Sequence, residues 1–312
     1  MNNSHFKWSD EAPEYSKLME SFLEYQDIAD RSKQTYRGSL KVFFNWFIKH
    51  PDEKPSRDTI LEYKKSLHLR GLRPTTSSTY LVAVRKFFEF CEQTEVYPNV
   101  AKGIKAPRRM MKNHLKDPLT VEQIKYVLSL IDVSSLKGKR DYAVINLLVR
   151  TGMRLHELMK SNYEDIDLTG EDGILWVQGK GQQSKDQCVI LTEESLKPML
   201  EYTKARVITS SDEALFTSVS DRNPNGRLTI YSLSRMIKNY FRSAKINSRR
   251  ITAHSLRHTF GVLSIKSGSS LHEVQLAMRH NDPSTTQVYL GDIEQQMRRE
   301  GGPEKRITSL LS

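Results

Sequence analysis

Residues 103–118, GIKAPRRMMKNHLKDP, follow neither a helical nor a strand period, hold two prolines, and set five basic residues against the single acid Asp117. Nothing in this stretch repeats at a spacing that would give an element one apolar face, so it does not read as part of a packed core. It divides the 312-residue chain into residues 1–102 and residues 119–312, each of a size that supports its own core. The two parts also differ in period. In the first, apolar residues recur at helical spacing in four runs: Glu14 to Asp30; a run opened by Ser32 as N-cap and carrying Leu40, Phe43, Phe44 and Phe47; residues 57–70, ended by Gly71; and a run from Pro74 carrying Leu81, Val84, Phe87 and Phe88. That predicts a small four-helix domain.

The second part mixes periods. Residues 120–132 and 140–152 read as helices, the first opened by a capping box of Thr120 with Gln123. YEDIDL, GILWVQG and DQCVILT are short, β-rich and separated by turn residues, which predicts a small antiparallel meander. Helical spacing resumes at residues 193–206, 230–245, 255–267 and 271–279, with one or two short helices after that. The fold class expected is mainly α with one small antiparallel β-sheet.

Charge narrows the partner. The chain has 48 Lys and Arg against 37 Asp and Glu, a net +11. Residues 1–102 hold +2 of it, the 16-residue connector +4 and residues 119–312 +5. Such a balance in a folded protein points to a polyanion, most often nucleic acid. A basic connector suits a chain that closes around a duplex, and equally a solvated tether kept extended by its own charge. No apolar run reaches the ~18–20 residues of a membrane helix, and the first residues lack a secretory apolar stretch. Cys91 and Cys188 stand far apart, which removes a disulfide framework and suggests a reducing, cytoplasmic setting.

Several residues are suited to phosphodiester chemistry, which needs cations on the non-bridging oxygens, a proton donor for the leaving oxygen and a nucleophile. Arg154 follows the helix break at Thr151-Gly152 and starts the next helix, beside free backbone N–H groups; it is also three residues from Glu157, a ready partner. Lys180 lies on a hairpin between glycines, with Lys185 as a competitor on the same loop. His254 and Arg257 share one face of a helix start. His254 and His258 have metal-ligand spacing, but the glutamate of a zinc-protease motif is absent and no third ligand is evident. His280 and Tyr289 lie nine residues apart around Asp282-Pro283, each with an ordinary reading as a helix-end histidine and a core tyrosine.

In order and joint spacing these residues resemble the tyrosine recombinase/integrase family. TGMRLHEL is similar to its first arginine box, with Glu157 as the supporting acid, HSLRHTF to its second box, and RHNDPSTTQVYL to the segment that carries the nucleophile. The resemblance covers nearly the whole chain and is closest to compact two-domain members, Xer-like recombinases and mobile-element integrases, with little length left for an arm-binding module. It implies a SAM-like core-binding domain over residues 1–102, a basic linker over 103–118 and a mixed α/β catalytic domain with a C-terminal tail over 119–312. It implies catalytic roles for Arg154, Lys180, His254, Arg257, His280 and Tyr289, with a 3′-phosphotyrosyl intermediate and neither metal nor cofactor. Double-stranded DNA at a specific site is the implied partner, bound by a homotetramer on two sites, with room for a heteromeric partner and none for a membrane. Arg37, Ser77, Ser78, Arg85, Lys86, Arg108 and Arg109 are the expected DNA contacts. Where the family commonly has glycine before its last histidine this chain has Arg279, which leaves the local helix end in question and offers one more cation for a phosphate. A type IB topoisomerase and a non-catalytic DNA-binding regulator are the rival readings.

Overall fold

A computed structural model describes residues 12–50, 52, 54–107, 117–179, 182–221, 223–279 and 303–311. The chain separates into two compact units, Met1–Met111 and Lys112–Ser312.

Unit 1 is built from α1 (Ala12–Tyr25), α2 (Asp30–Phe47), α3 (Arg57–Leu69) and α4 (Pro74–Gln93). Its core is aromatic. Phe22, Phe43, Phe47, Tyr63, Phe87 and Phe88 are fully buried. Many of their rings meet edge-on, as Phe43 does with Tyr63 at 5.0 Å and Phe44 with Phe87 at 5.4 Å. That geometry sets the positive ring edge against a neighbour's negative face. Ser56 opens α3 with a capping box to Thr59. The expected cap of α2 is corrected. The helix starts at Asp30 after Ala29, which makes no side-chain cap, and Ser32 falls inside its first turn; Asp30 supplies negative charge at the positive helix end instead.

Unit 2 is organised around α6 (Leu136–Thr151), which is buried on all sides from Ala143 to Val149. Against it pack α8 (Glu193–Arg206) and α10 (Ala253–Lys266). The unit also holds α5 (Val121–Ser129), α7 (Leu155–Lys160), α9 (Ile230–Ser243) and α11 (Leu271–Ala277), with a separate helix at Pro303–Leu311. The meander is a three-stranded antiparallel sheet in the order β1 (Ile166–Asp167), β2 (Gly173–Val177), β3 (Gln187–Leu191). Trp176 opposes Cys188, and Ile174 opposes Ile190. The inward residues Leu175, Val177, Val189 and Leu191 are buried. β1 is shorter than YEDIDL suggested, because Tyr163–Asp165 forms a 3-10 turn whose Asp165 carboxylate accepts from the Asn162 N–H at 2.6 Å. α6 starts four residues before Arg140, on a Ser135 cap that accepts from the Gly138 N–H at 3.0 Å. The connector is already fastened to unit 2 at its end. Asp117 pairs with Arg250 at 2.8 Å, and the Leu119 N–H donates to Thr259 Oγ1 at 2.8 Å.

Candidate active site

The site forms where the ends of α6 and α11 meet the starts of α7 and α10. α6 stops at Gly152, which takes φ +60. A Cβ there would lie 2.4 Å from Phe260 Cδ1. Two penalties therefore act on any larger residue: ~1–2 kcal/mol for the left-handed backbone and ~1–3 kcal/mol for overpacking. Gly152→Ala is expected to lower the melting midpoint by roughly 5–15 °C, read by thermal unfolding followed by circular dichroism.

The turn at Gly152 delivers Arg154 to the first cap position of α7. Its backbone N–H donates to Glu157 Oε2 at 2.8 Å and its Nη1 to Glu157 Oε1 at 2.6 Å. Its Nη2 donates to the carbonyl of Arg279 at 2.8 Å. The Arg154 side chain keeps 26% of its surface exposed, whereas Glu157 keeps 1%. The two sequence readings of Arg154 thus combine: it pairs with Glu157, and that pairing is what holds it at the mouth of the site.

Arg257 approaches from the first turn of α10 and is buried. Its Nη1 donates to the Gly152 carbonyl and its Nη2 to the Met278 carbonyl. Both box arginines are therefore collected by consecutive carbonyls at the end of α11. His254, on the same helix start, is exposed. His258, one turn on, is buried, so the two histidines with metal-like spacing stand in different environments. Among the described residues no three His, Cys, Asp or Glu side chains group as a metal site would require.

Arg279 is the correction at this site. It adopts φ +54 and turns its guanidinium inward, where Nη2 donates to Glu157 Oε2 at 2.9 Å with 6% of the side chain exposed. It is an internal partner of Glu157 and not an outward phosphate contact. Burial pushes the Glu157 carboxyl up, but the Arg279 charge, the Arg154 N–H and the Arg154 guanidinium outweigh it and hold the group below its ordinary range. Two arginines, Arg154 and Arg279, pair with this one carboxylate and leave a net positive charge, to which Arg257 adds a further cation held on the Gly152 and Met278 carbonyls, an arrangement suited to an anion.

A carboxyl depressed in the folded state stabilises the fold above its unfolded pKa, and that contribution is lost as pH falls through the folded value. Wild-type stability is therefore expected to drop as pH falls below about 4.5, and Glu157→Gln to remove part of that slope. The same substitution leaves nearly enclosed Arg279 and half-buried Arg154 without their carboxylate, at up to ~3–5 kcal/mol. Urea unfolding at several pH values checks both.

Lys180, His280 and Tyr289, with Arg108 and Arg109, lie outside the described residues. Lys185 is engaged: its ammonium meets both Asp165 oxygens, at 2.8 and 2.6 Å, against a carboxylate that is 7% exposed. Below the hairpin loop, Gln178 accepts from Lys160 Nζ at 2.9 Å and donates to the Gln182 carbonyl at 2.6 Å.

In unit 1 the expected contacts divide. Ser77 is 5% exposed and faces inward, because α4 buries that side against its neighbours; this corrects its reading as a surface contact. Ser78 is half-buried, and Arg85 is exposed. Lys86 pairs with Glu89 at 2.8 Å, and Arg37 holds Glu20 through Nε at 3.0 Å and through Nη2. Overlooked in the sequence is a shallow polar cleft of about 410 Å³ between α2 and α4, lined by Gln34, Thr35, Thr75, Thr76, Thr79 and Tyr80. The Thr/Ser run after Pro74 was its only sequence signal, and it reads first as a helix start.

Comparison with known proteins agrees with this arrangement. The profile of the Phage integrase family matches residues 118–296, and that of the Phage integrase N-terminal SAM-like domain matches residues 19–95. Tyrosine recombinase XerD of Staphylococcus haemolyticus is 28% identical over 293 residues, covering 90% of this chain and 96% of its own. Tyrosine recombinase XerC of Psychromonas ingrahamii is 30% identical over 233 residues, 72% of each chain. The crystal structure of XerH site-specific recombinase bound to palindromic difH substrate, a post-cleavage complex, shares the fold, with a TM-score of 0.72 at 22% identity over 93% of this chain and 84% of that one. An arginine cluster built on these two boxes, within a profile match that spans more than half of its length, makes this chain a member of the phage integrase family, the tyrosine recombinases.

Proposed function

We propose that the chain is a site-specific DNA recombinase that cleaves and rejoins DNA strands through a covalent bond to Tyr289. The observation that carries this is the pairing of Arg154 and Arg279 with buried Glu157, with Arg257 held on the adjoining Gly152 and Met278 carbonyls, whose net positive charge matches the scissile phosphate of a duplex. The relatives are tyrosine recombinases, and the XerH neighbour is bound to its difH substrate; double-stranded DNA at a defined site is the substrate proposed.

In this reading the Tyr289 oxygen attacks the phosphorus, the bond to the 5′-oxygen breaks, and a 3′-phosphotyrosyl bond and a free 5′-hydroxyl result. Arg154 meets the developing negative charge at the mouth of the site, and Arg257 supplies charge from below. Lys180 gives the leaving oxygen its proton. Its rival Lys185 is committed to Asp165, which supports that choice. His254 and His280 hydrogen-bond the phosphate and assist proton transfer. A 5′-hydroxyl from a partner strand then reverses the step, so one phosphodiester replaces another with neither ATP nor a metal required.

Residues 1–102 are proposed as the core-binding domain and 119–312 as the catalytic domain, joined by the basic linker. The α2–α4 cleft, with Arg37, Ser78, Arg85 and Lys86, is the proposed unit 1 contact with DNA, and the linker with Arg108 and Arg109 supplies salt-dependent grip. Assembly is proposed as a tetramer on two sites. The Pro303–Leu311 helix supports a protein contact, since Ile307, Leu310 and Leu311 are 56%, 83% and 83% exposed. No described helix is long and apolar enough to cross a membrane.

The test is a plasmid carrying two copies of a DNA segment that the wild-type protein captures from its own genome. Recombinant circles are expected. Relaxation without recombinants would favour topoisomerase chemistry, and binding without cleavage a regulator.

A further inference from the structure

The two box arginines and the buried glutamate do not account for the third cation. Arg279 sits at φ +54, a backbone region that costs a side-chain-bearing residue ~1–2 kcal/mol. Its guanidinium is nearly enclosed. Besides the 2.9 Å bond to Glu157, Nη1 donates to the Ala277 carbonyl at 2.7 Å. Its own carbonyl accepts from Arg154, while the carbonyl just before it accepts from Arg257. One residue thus touches the site in two ways. The left-handed backbone fixes where the anchor carbonyl points, and the side chain closes on the carboxylate that orients Arg154.

We infer that Arg279 is a positioning residue for the cleavage reaction, holding Glu157 and the end of α11 so that Arg154 is presented to the phosphate in one orientation. The inference rests on the function proposed above. The alternative, that Arg279 only fills space, does not explain why a strained position carries a long charged side chain aimed at one carboxylate. A glycine would meet the backbone requirement alone.

The consequence lies in the pH response. The charged groups bonded to Glu157 are Arg154, from the start of α7, and Arg279, from the end of α11. Ionised Glu157 anchors Arg154, and protonation releases it. Arg279 keeps that carboxyl ionised to lower pH; without it, burial acts against Arg154 alone and the carboxyl rises. Variants lacking the positive charge lose Arg154 positioning at a pH where wild type retains it.

The experiment measures the rate of denaturant-resistant adduct formation against pH, on one nicked duplex of the DNA captured by wild type. The proteins are wild type, Arg279→Ala, Arg279→Gly and Arg279→Lys, with thermal unfolding of each. A displaced catalytic group costs up to about 100-fold, so Arg279→Ala and Arg279→Gly are both expected about 10–100-fold slower at pH 7. Their acid limb should move to higher pH, and Arg279→Lys, which keeps the charge, should recover to within about 10-fold of wild type. Wild-type speed in Arg279→Gly overturns the inference, because backbone geometry alone would then suffice. Equal slowing in all three variants with an unmoved acid limb also overturns it, since that is the pattern of general destabilisation. If wild type itself forms no adduct, the recombinase reading fails and takes this inference with it, whereas the variant patterns above overturn the inference alone.

Discussion

Arg257→Ala is expected to stop strand cleavage and to weaken the fold at the same time, whereas Arg154→Ala is expected to stop cleavage with a smaller loss of stability. Arg257 is buried and donates to the Gly152 and Met278 carbonyls. Truncation strands both acceptors, at ~1–3 kcal/mol each, so about 2–5 kcal/mol of stability should be lost. Arg257→Lys should not restore it, because one ammonium cannot reproduce a planar fork that bridges two carbonyls. Arg154 is more open, and its removal leaves Glu157 still paired with Arg279 but frees the Arg279 carbonyl; stability should fall by about 1–3 kcal/mol, less than for Arg257→Ala. Each loss removes charge aimed at the transition state, worth about 10²–10³ in rate. DNA affinity should change little for Arg154→Ala, because the proposed grip is phosphate contact spread over the surface and linker. Urea unfolding, filter binding and single-turnover cleavage separate the three effects.

The contrast between the two arginines also marks what the sequence revealed and what it hid. The spacing of Arg154 and Glu157 announced their ion pair, since residues three apart on a helix are neighbours. Thr120 with Gln123, Gly71 and Gly152 announced helix ends, because caps and left-handed turns are decided within a few residues. Alternation in GILWV and QCVIL announced the sheet and its buried face. Arg279 was read the wrong way round. A cation beside His280 looks like a phosphate ligand, and only the fold brings it to a carboxylate 122 positions earlier. Ser77 was misjudged for a related reason. Its helix is clear in the sequence, but which polar residues α4 turns inward depends on where the other helices of its unit pack. The rivalry of Lys180 and Lys185 was likewise opaque, because the ion pair of Lys185 with Asp165 joins separate turns of the meander. Local rules were legible; long-range partners of charged side chains were not.

The second large effect concerns Tyr289, the proposed nucleophile. Tyr289 stands nine residues after His280 in the segment that the family profile covers. A phenol makes a covalent phosphodiester that survives denaturation, which no hydrogen-bonded complex does. Tyr289→Phe deletes one oxygen and keeps the ring. Cleavage should therefore vanish while noncovalent DNA binding stays within about 2-fold of wild type, as phosphate contacts dominate affinity. The most direct measurement is denaturing electrophoresis of wild type and Tyr289→Phe after incubation with a labelled nicked duplex of the captured DNA, followed by protease digestion and peptide mapping of any shifted band. The predicted result is a wild-type adduct mapping to the peptide that contains Tyr289, and none from Tyr289→Phe. An adduct persisting in Tyr289→Phe, or one mapping to another residue, would contradict the account.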